Sequence, residues 1–173
     1  MDEGTTVTTD FSSALAGLDR LAGDMRMKLA RSMAVAGGKV LRDGAIERAP
    51  VGTAEDGSKR PGLLKSSIYL AFKNRRSTDK EAIYSVTWNS KKAPHGHLVE
   101  FGHWQYYAVF KNKAGEWYTD KKRRLAVPKW VPAHPFLRPT IDALGGVAQQ
   151  VMIERGKERL PELLAGKNLD AVE

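Results

Sequence analysis

From Asp10 onward, apolar residues recur at Phe11, Leu15, Leu18, Ala22, Met25, Leu29, Met33, Ala36, Val40 and Leu41. Steps of three and four keep them on one face of a helix, and Asp10 is placed to cap its start. A helix from Asp10 to about Glu47 would reach ~55 Å at 1.5 Å per residue, longer than the small body behind it requires. Gly37 and Gly38 interrupt the run. Each costs about 1 kcal/mol in a helix relative to alanine, so the pattern predicts a kink or break there. Ala49-Pro50 ends the helix.

The next segment, "VGTAEDGSKRPG" (residues 51–62), has turn formers and charge without periodicity and reads as a mobile loop. "LLKSSIYLAFK" follows as a helical turn passing into a strand around Ile68 to Lys73. In "EAIYSVTWN" (81–89), Tyr84, Val86 and Trp88 alternate with a more polar side, the pattern of a half-buried strand. These two strands are expected to pair antiparallel across "NRRSTDK". "QYYAVFK" and "EWYTD" suggest a third and fourth strand joined through "NKAG", where Gly115 suits a tight hairpin. "PKWVPAHPFLRP" has four prolines in twelve residues, too many for a regular element, and reads as an extended connector or docking arm. Within it, Pro135, Phe136 and Leu137 are expected to dock against the sheet, with Phe136 as the anchor. Leu137, Ile141, Leu144, Ala148 and Val151 then repeat at helical spacing, with Pro139 suited to the first turn and Pro161 ending or kinking the helix. The pattern predicts an α+β fold: an antiparallel sheet of about four strands packed by a long N-terminal helix and a C-terminal helix. One domain would span residues 10–166, with an inserted hairpin and basic loop over 103–131 and flexible ends at 1–9 and 167–173.

Composition narrows the function classes. With 173 residues, 42% of them hydrophobic, the chain can build one proper core but not two comfortable ones. A net charge of +8 favours acidic partners, either nucleic acid or acidic protein surfaces. There is no cysteine, which excludes disulfides, thiolate nucleophiles and cysteine-based zinc sites. The polar, acidic start "MDEGTTVTTD" is unlike a signal peptide, and no stretch approaches the ~20 apolar residues of a membrane span. A soluble, unexported chain with no membrane partner is expected.

Candidate chemistry concentrates in "HGHLVEFGHWQYY" (95–107), which holds three of the four histidines. A helical metal pair wants ligands about one turn apart. His97 and Glu100 meet that spacing, but His95 and His103 supply no obvious third ligand, so no metal is assigned. No serine lies in a nucleophile elbow, no glycine-rich phosphate loop is present, and the acids are scattered among basic residues; no catalytic residue, cofactor or enzyme activity is expected. Basic clusters fall at Lys73, Arg75 and Arg76, at Lys91 and Lys92, and at Lys121, Lys122, Arg123 and Arg124. With Trp88, Trp104, Tyr106 and Tyr107 interleaved, they could contact DNA or acidic partners. Against that stands the plainer reading of a solvated rim around core-filling aromatics.

Four short segments occur in a telling order: Ala49-Pro50, "GLLKSSI" (62–68), "HLVEFG" (97–102) and "PAHPFLRPTI" (132–141). Together they resemble the tail-component family of tailed phages that contains head-tail joining, or tail-completion, proteins. The resemblance spans about residues 10 to 155. It points to Gly62, Leu63, Ser66, Ile68, Val99, Glu100, Phe101, Gly102, Pro135, Phe136, Leu137 and Arg138 as motif or interface positions. Gly102 would take positive φ or allow a close backbone approach, and Leu98, Val99 and Phe101 would anchor the sheet. "HGHLVEFGHW" would be a turn between sheet layers. Glu100 would pair with a basic group such as Arg138, on the same or a neighbouring subunit, or remain a solvated surface acid. The resemblance implies a virion protein at the tail top or neck, assembled in the host cytoplasm into a ring of about six copies. Its neighbours would be connector and tail-terminator or tail-tube proteins, with non-specific contact to genomic DNA. The insert between Gly102 and Val131 is longer than the family pattern. The alternative is a basic nucleic-acid-binding protein.

Overall fold

Two long helices frame the structure, a computed structural model that describes residues 23–52, 61–78, 81–113 and 117–165. In chain order the elements are α1 (Gly23–Arg48), α2 (Leu63–Ser67), β1 (Ile68–Phe72), β2 (Tyr84–Trp88), α3 (Gly96–Phe101), β3 (His103–Lys111), β4 (Trp117–Val131) and α4 (Leu137–Leu164). The expected start of the first helix at Asp10, both flexible ends, most of the 51–62 loop and the Gly115 turn lie outside the described residues.

α1 and α4 pack along each other and carry most of the body's helical interface. α1 runs unbroken through Gly37 and Gly38, contrary to the kink or break expected there. The glycines are contact points. A Cβ on Gly37 would lie 2.8 Å from the Ala148 carbonyl oxygen of α4, and one on Gly38 would lie 2.7 Å from the Leu70 side chain of β1. Gly44, one heptad beyond Gly37, faces Leu144 in the same way. The propensity lost at these positions is offset by close helix packing, which contributes more to helix stability in a protein than propensity does.

Two apolar clusters fill the space. One joins Ala45, Ala49, Leu64, Ile68, Ala93, Phe136 and Leu137; the other joins Leu29, Met33 and Leu163, flanked by Met25, Met152 and Leu160. The second cluster explains why α4 continues past Pro161 to Leu164 rather than ending there. Proline removes one helix hydrogen bond, but burial of Leu163 against Leu29 and Met33 holds the last turn in place.

The four antiparallel strands divide into two two-stranded sheets, β1-β2 and β3-β4. β1 and β2 pair from Ile68↔Trp88 to Phe72↔Tyr84 across the predicted turn. Lys73 caps that turn: its carbonyl accepts the Arg76 and Ser77 amides, and its own amide donates to Ile83. Leu70 meets α1 at Gly38, and Arg31 of α1 lies over the Phe72 ring at 4.7 Å. Burial pushes the Tyr84 phenol above its ordinary value, opposed by the Arg31 charge. Ser85 and Thr87, on the polar side of β2, are the buried residues of that strand, while Tyr84, Val86 and Trp88 are half-buried. Their short side chains stay close to the backbone opposite Ala71 and Tyr69, whereas the larger ones extend to the margin of the small sheet.

Gly37→Ala is therefore expected to lower stability, although helix propensity alone would raise it by about 1 kcal/mol. Crowding against the Ala148 backbone should cost about 1–3 kcal/mol. Gly145→Ala, where an added Cβ meets nothing within 4 Å, should raise stability. Urea unfolding of the two variants reads both signs.

Candidate interaction surface

The segment "GHLVEF" forms α3, a six-residue helix, rather than the expected turn between sheet layers. Gly96 makes the helix possible at this place, because its missing side chain leaves room for the Trp88 indole. The helix ends at Gly102, where φ is 71°. A Cβ there would also sit 2.8 Å from the Val131 carbonyl oxygen and 2.9 Å from the Ala133 amide nitrogen. Positive φ and close approach thus both require glycine.

Glu100 is buried, at 4% exposure. One carboxylate oxygen accepts the backbone N–H groups of Phe136 (2.7 Å) and Leu137 (3.0 Å), and the other accepts that of Arg138 (3.1 Å). These are amides at the start of α4, which have no partner within their own helix. The carboxylate supplies their acceptors and places negative charge at the positive end of the helix dipole. Hydrogen bonds from three donors compensate its own burial. Both expectations for Glu100 are corrected: it is not a surface acid, and Arg138 meets it through the backbone while the Arg138 side chain is exposed.

The clamp has a further bond and an apolar plug. His134 N–H donates to the Val99 carbonyl at 2.8 Å. Phe136 is fully buried and meets Trp88 edge-on at 6.1 Å, while the Thr140 hydroxyl donates to the Phe136 carbonyl at 2.6 Å. Leu137 is buried and Pro135 exposed. Phe101, expected to anchor the sheet, is 48% exposed because α3 turns it outward; Leu98 and Val99 are half-buried. In the earlier motif, Gly62 adopts φ 75° ahead of α2, Leu63 is half-buried, Ser66 is exposed with its hydroxyl on the Leu63 carbonyl, and Ile68 is buried.

Between the two sides of this clamp the chain makes an excursion, the β3-β4 ribbon. Its register runs from His103↔Val131 to Lys111↔Trp117, with irregularities on either side of Tyr107. β4 is longer than expected. It absorbs the basic run Lys121–Arg124, expected as a loop, and the start of the proline-rich connector as far as Val131. Every strand in a two-stranded ribbon has an open edge, and Pro128 falls in an unpaired stretch between Arg124 and Lys129, so its missing N–H costs no ladder bond. The expected core-filling role for the ribbon's aromatics is not what the structure shows. Trp104, Tyr106, Tyr107, Trp117, Tyr118 and Trp130 are all exposed. Trp104 and Trp130 pair edge-on at 5.3 Å. Arg123 lies over Phe110, Arg124 over Tyr106 and Lys111 over Trp117. From His103 to Val131 there are seven Lys/Arg against Glu116 and Asp120, a net +5.

The other basic clusters sit apart from the ribbon. Arg75 and Arg76 are exposed in the β1-β2 turn, and Lys91 and Lys92 are exposed after β2, where Asn89 Oδ1 accepts both their amides. His95 and His97 are exposed, and among the described residues no three His, Asp or Glu side chains gather as metal ligands. Among the same residues no helix is long and apolar enough to cross a membrane. The role of Glu100 escaped the sequence reading. One signal was available: α4 opens with Phe136 where a Ser, Thr, Asp or Asn cap is usual, so its first amides needed an acceptor from elsewhere.

Glu100→Gln, which keeps the size but removes the charge, should lower stability by about 1–3 kcal/mol. Phe136→Ala should lower it by about 3–5 kcal/mol and yield poorly soluble protein. Chemical unfolding of the isolated chain measures both.

A protein-family model described as "Bacteriophage HK97-gp10, putative tail-component" matches residues 13–102. No curated protein and no solved structure gives a significant match. The matched segment takes in all of α1, α2, the β1-β2 hairpin and α3, and it stops at Gly102, where the ribbon begins. A structural tail component implies no enzymatic role. The chain belongs to this HK97 gp10-like family of phage tail components.

Proposed function

We propose that this tail component is a ring-forming tail-completion, or head-tail joining, protein at the neck of the virion. About six copies would close a ring between the connector and the tail terminator or tail tube, assembling in the host cytoplasm. The observation that carries the reading is the division of the chain at Gly102. A body matching a tail-component family holds out, on a buried clamp, a ribbon whose aromatic side chains are exposed. A monomer gains nothing from solvent-exposed tryptophans and tyrosines, whereas an assembly part needs such anchors at its contacts.

The basic residues fit the same reading. Arg75, Arg76, Lys91, Lys92 and Lys121–Arg124 would meet acidic surfaces of neighbouring rings or, where they line a channel, the phosphates of the genome without reading bases. A free nucleic-acid-binding protein is the competing reading. Three ribbon aromatics already carry a cation on one face, which leaves less open ring surface for stacking bases.

In a phage carrying this chain, loss of the protein should leave DNA-filled heads and finished tails unjoined, and a reconstruction of intact particles should show it as a ring at the tail top. Normal attachment without it, or its presence only at the distal tip, would contradict the neck assignment. Tight binding of the isolated chain to duplex DNA at physiological salt would promote the competing reading.

A further inference from the structure

Among the described residues, two outward surfaces have no partner within the chain, and they match each other. The first is the ribbon, with exposed aromatics, Val127 at 79% exposure and a net +5. The second is the face of α4 turned away from α1. There Ala143, Gly146, Val147 and Ile153 follow helical spacing and are exposed, with Gln150 between the last two, Asp142 and Glu154 alongside, and Lys157 one turn further on. Neither acid forms an ion pair among the described residues. A partly apolar strip with two unpaired acids thus lies open on a molecule that also exposes an apolar, basic ribbon.

Gly146 adds to the argument. A glycine inside a helix is unfavourable, and those of α1 are explained by the side chains they admit. At Gly146, as at its neighbour Gly145, none of the described residues lies within 4 Å of an added Cβ; Gly146 is the one that is exposed on the outer face, so the space there is open to something outside the body.

We infer that the ribbon of one copy docks on the outer face of α4 of the next copy, its aromatics covering Ala143, Gly146, Val147 and Ile153 while its cations face Asp142 and Glu154. This rests on the ring reading and specifies its contact. The surfaces are different, so the contact is heterologous, the kind that repeats around a ring until it closes. Charge favours this arrangement over ribbon against ribbon, which would bring two +5 surfaces together. Ribbon and strip both combine apolar area with charge, as the core and rim of a protein interface do.

Sedimentation velocity of the full chain over a concentration series tests this. Four proteins are compared with wild type: Val127→Glu, Gly146→Gln, Lys121→Glu/Lys122→Glu, and the last combined with Asp142→Lys/Glu154→Lys. Wild type should form a discrete oligomer. Val127→Glu and Gly146→Gln should each weaken it by roughly tenfold or more, and Gly146→Gln should melt no lower than wild-type monomer because it improves the helix. The charge reversal on the ribbon should also weaken assembly, and the four-site swap should restore it. A wild-type oligomer indifferent to Gly146→Gln, or a swap that restores nothing, overturns the α4 contact and leaves the ring reading standing. A wild-type monomer at all concentrations overturns both. Association that appears only with a short DNA duplex and is lost in Lys121→Glu/Lys122→Glu assigns the ribbon to nucleic acid and overturns the inference.

Discussion

The carboxylate of Glu100, buried beneath three amides at the start of α4, is the interaction on which the remainder of the architecture depends. It connects residues 36 to 38 positions apart, and the intervening chain is the entire ribbon with its connector. Closing a loop of that length has an entropic cost, and an apolar contact alone would leave the first amides of α4 without acceptors. The carboxylate meets both requirements. It satisfies the helix start, and it places Phe136 where the ring can reach Trp88 and the core cluster that includes Ala45 and Ile68. The direction of α4 along α1 follows from that fixed start.

The same clamp determines how the ribbon leaves the body. Both of its ends are tied at one place, His103 directly after Gly102 and Val131 a few residues before Phe136. Two-stranded ribbons are marginal structures in water by themselves. This one gains from the Trp104–Trp130 pair near its base and from cations over aromatic rings further out, yet it leaves its apolar side chains largely uncovered. Body and ribbon therefore have different physical characters. The body is completed by its own helix packing, with glycines of α1 fitted to α4 and β1, while the ribbon's aromatics stay exposed among the described residues.

Periodicity made the helices and the β1-β2 hairpin legible in the sequence, because apolar spacing is a local property that tertiary packing then reinforces. Gly102 was legible for the same local reason, since a glycine after bulky residues marks a backbone demand. Four features were not. The local cost of Gly37 and Gly38 is visible in the chain, but Ala148 and Leu70, which need the space, are distant in sequence. Pro128 suggested the end of regular structure, and only the open edge of a two-stranded ribbon makes it compatible with β4. Glu100 looked like a surface acid with an arginine nearby, because nothing in "LVEFG" reveals that an uncapped helix start will fold back onto it. The exposed ribbon aromatics were misjudged for a related reason: alternation shows that a strand has two faces, but not whether either is covered by the same chain.

Amide hydrogen exchange at Phe136, Leu137 and Arg138 tests the central claim most directly. In an ordinary helix these first N–H groups lack partners and exchange quickly, so their protection reports the Glu100 carboxylate and little else. The account predicts that all three exchange as slowly as amides in the middle of α4 in the wild-type chain, and that Glu100→Ala releases them while the centres of α1 and α4 remain protected. Fast exchange at these three positions in wild type, with the helices otherwise protected, would show that the carboxylate does not hold the start of α4 and would contradict the account.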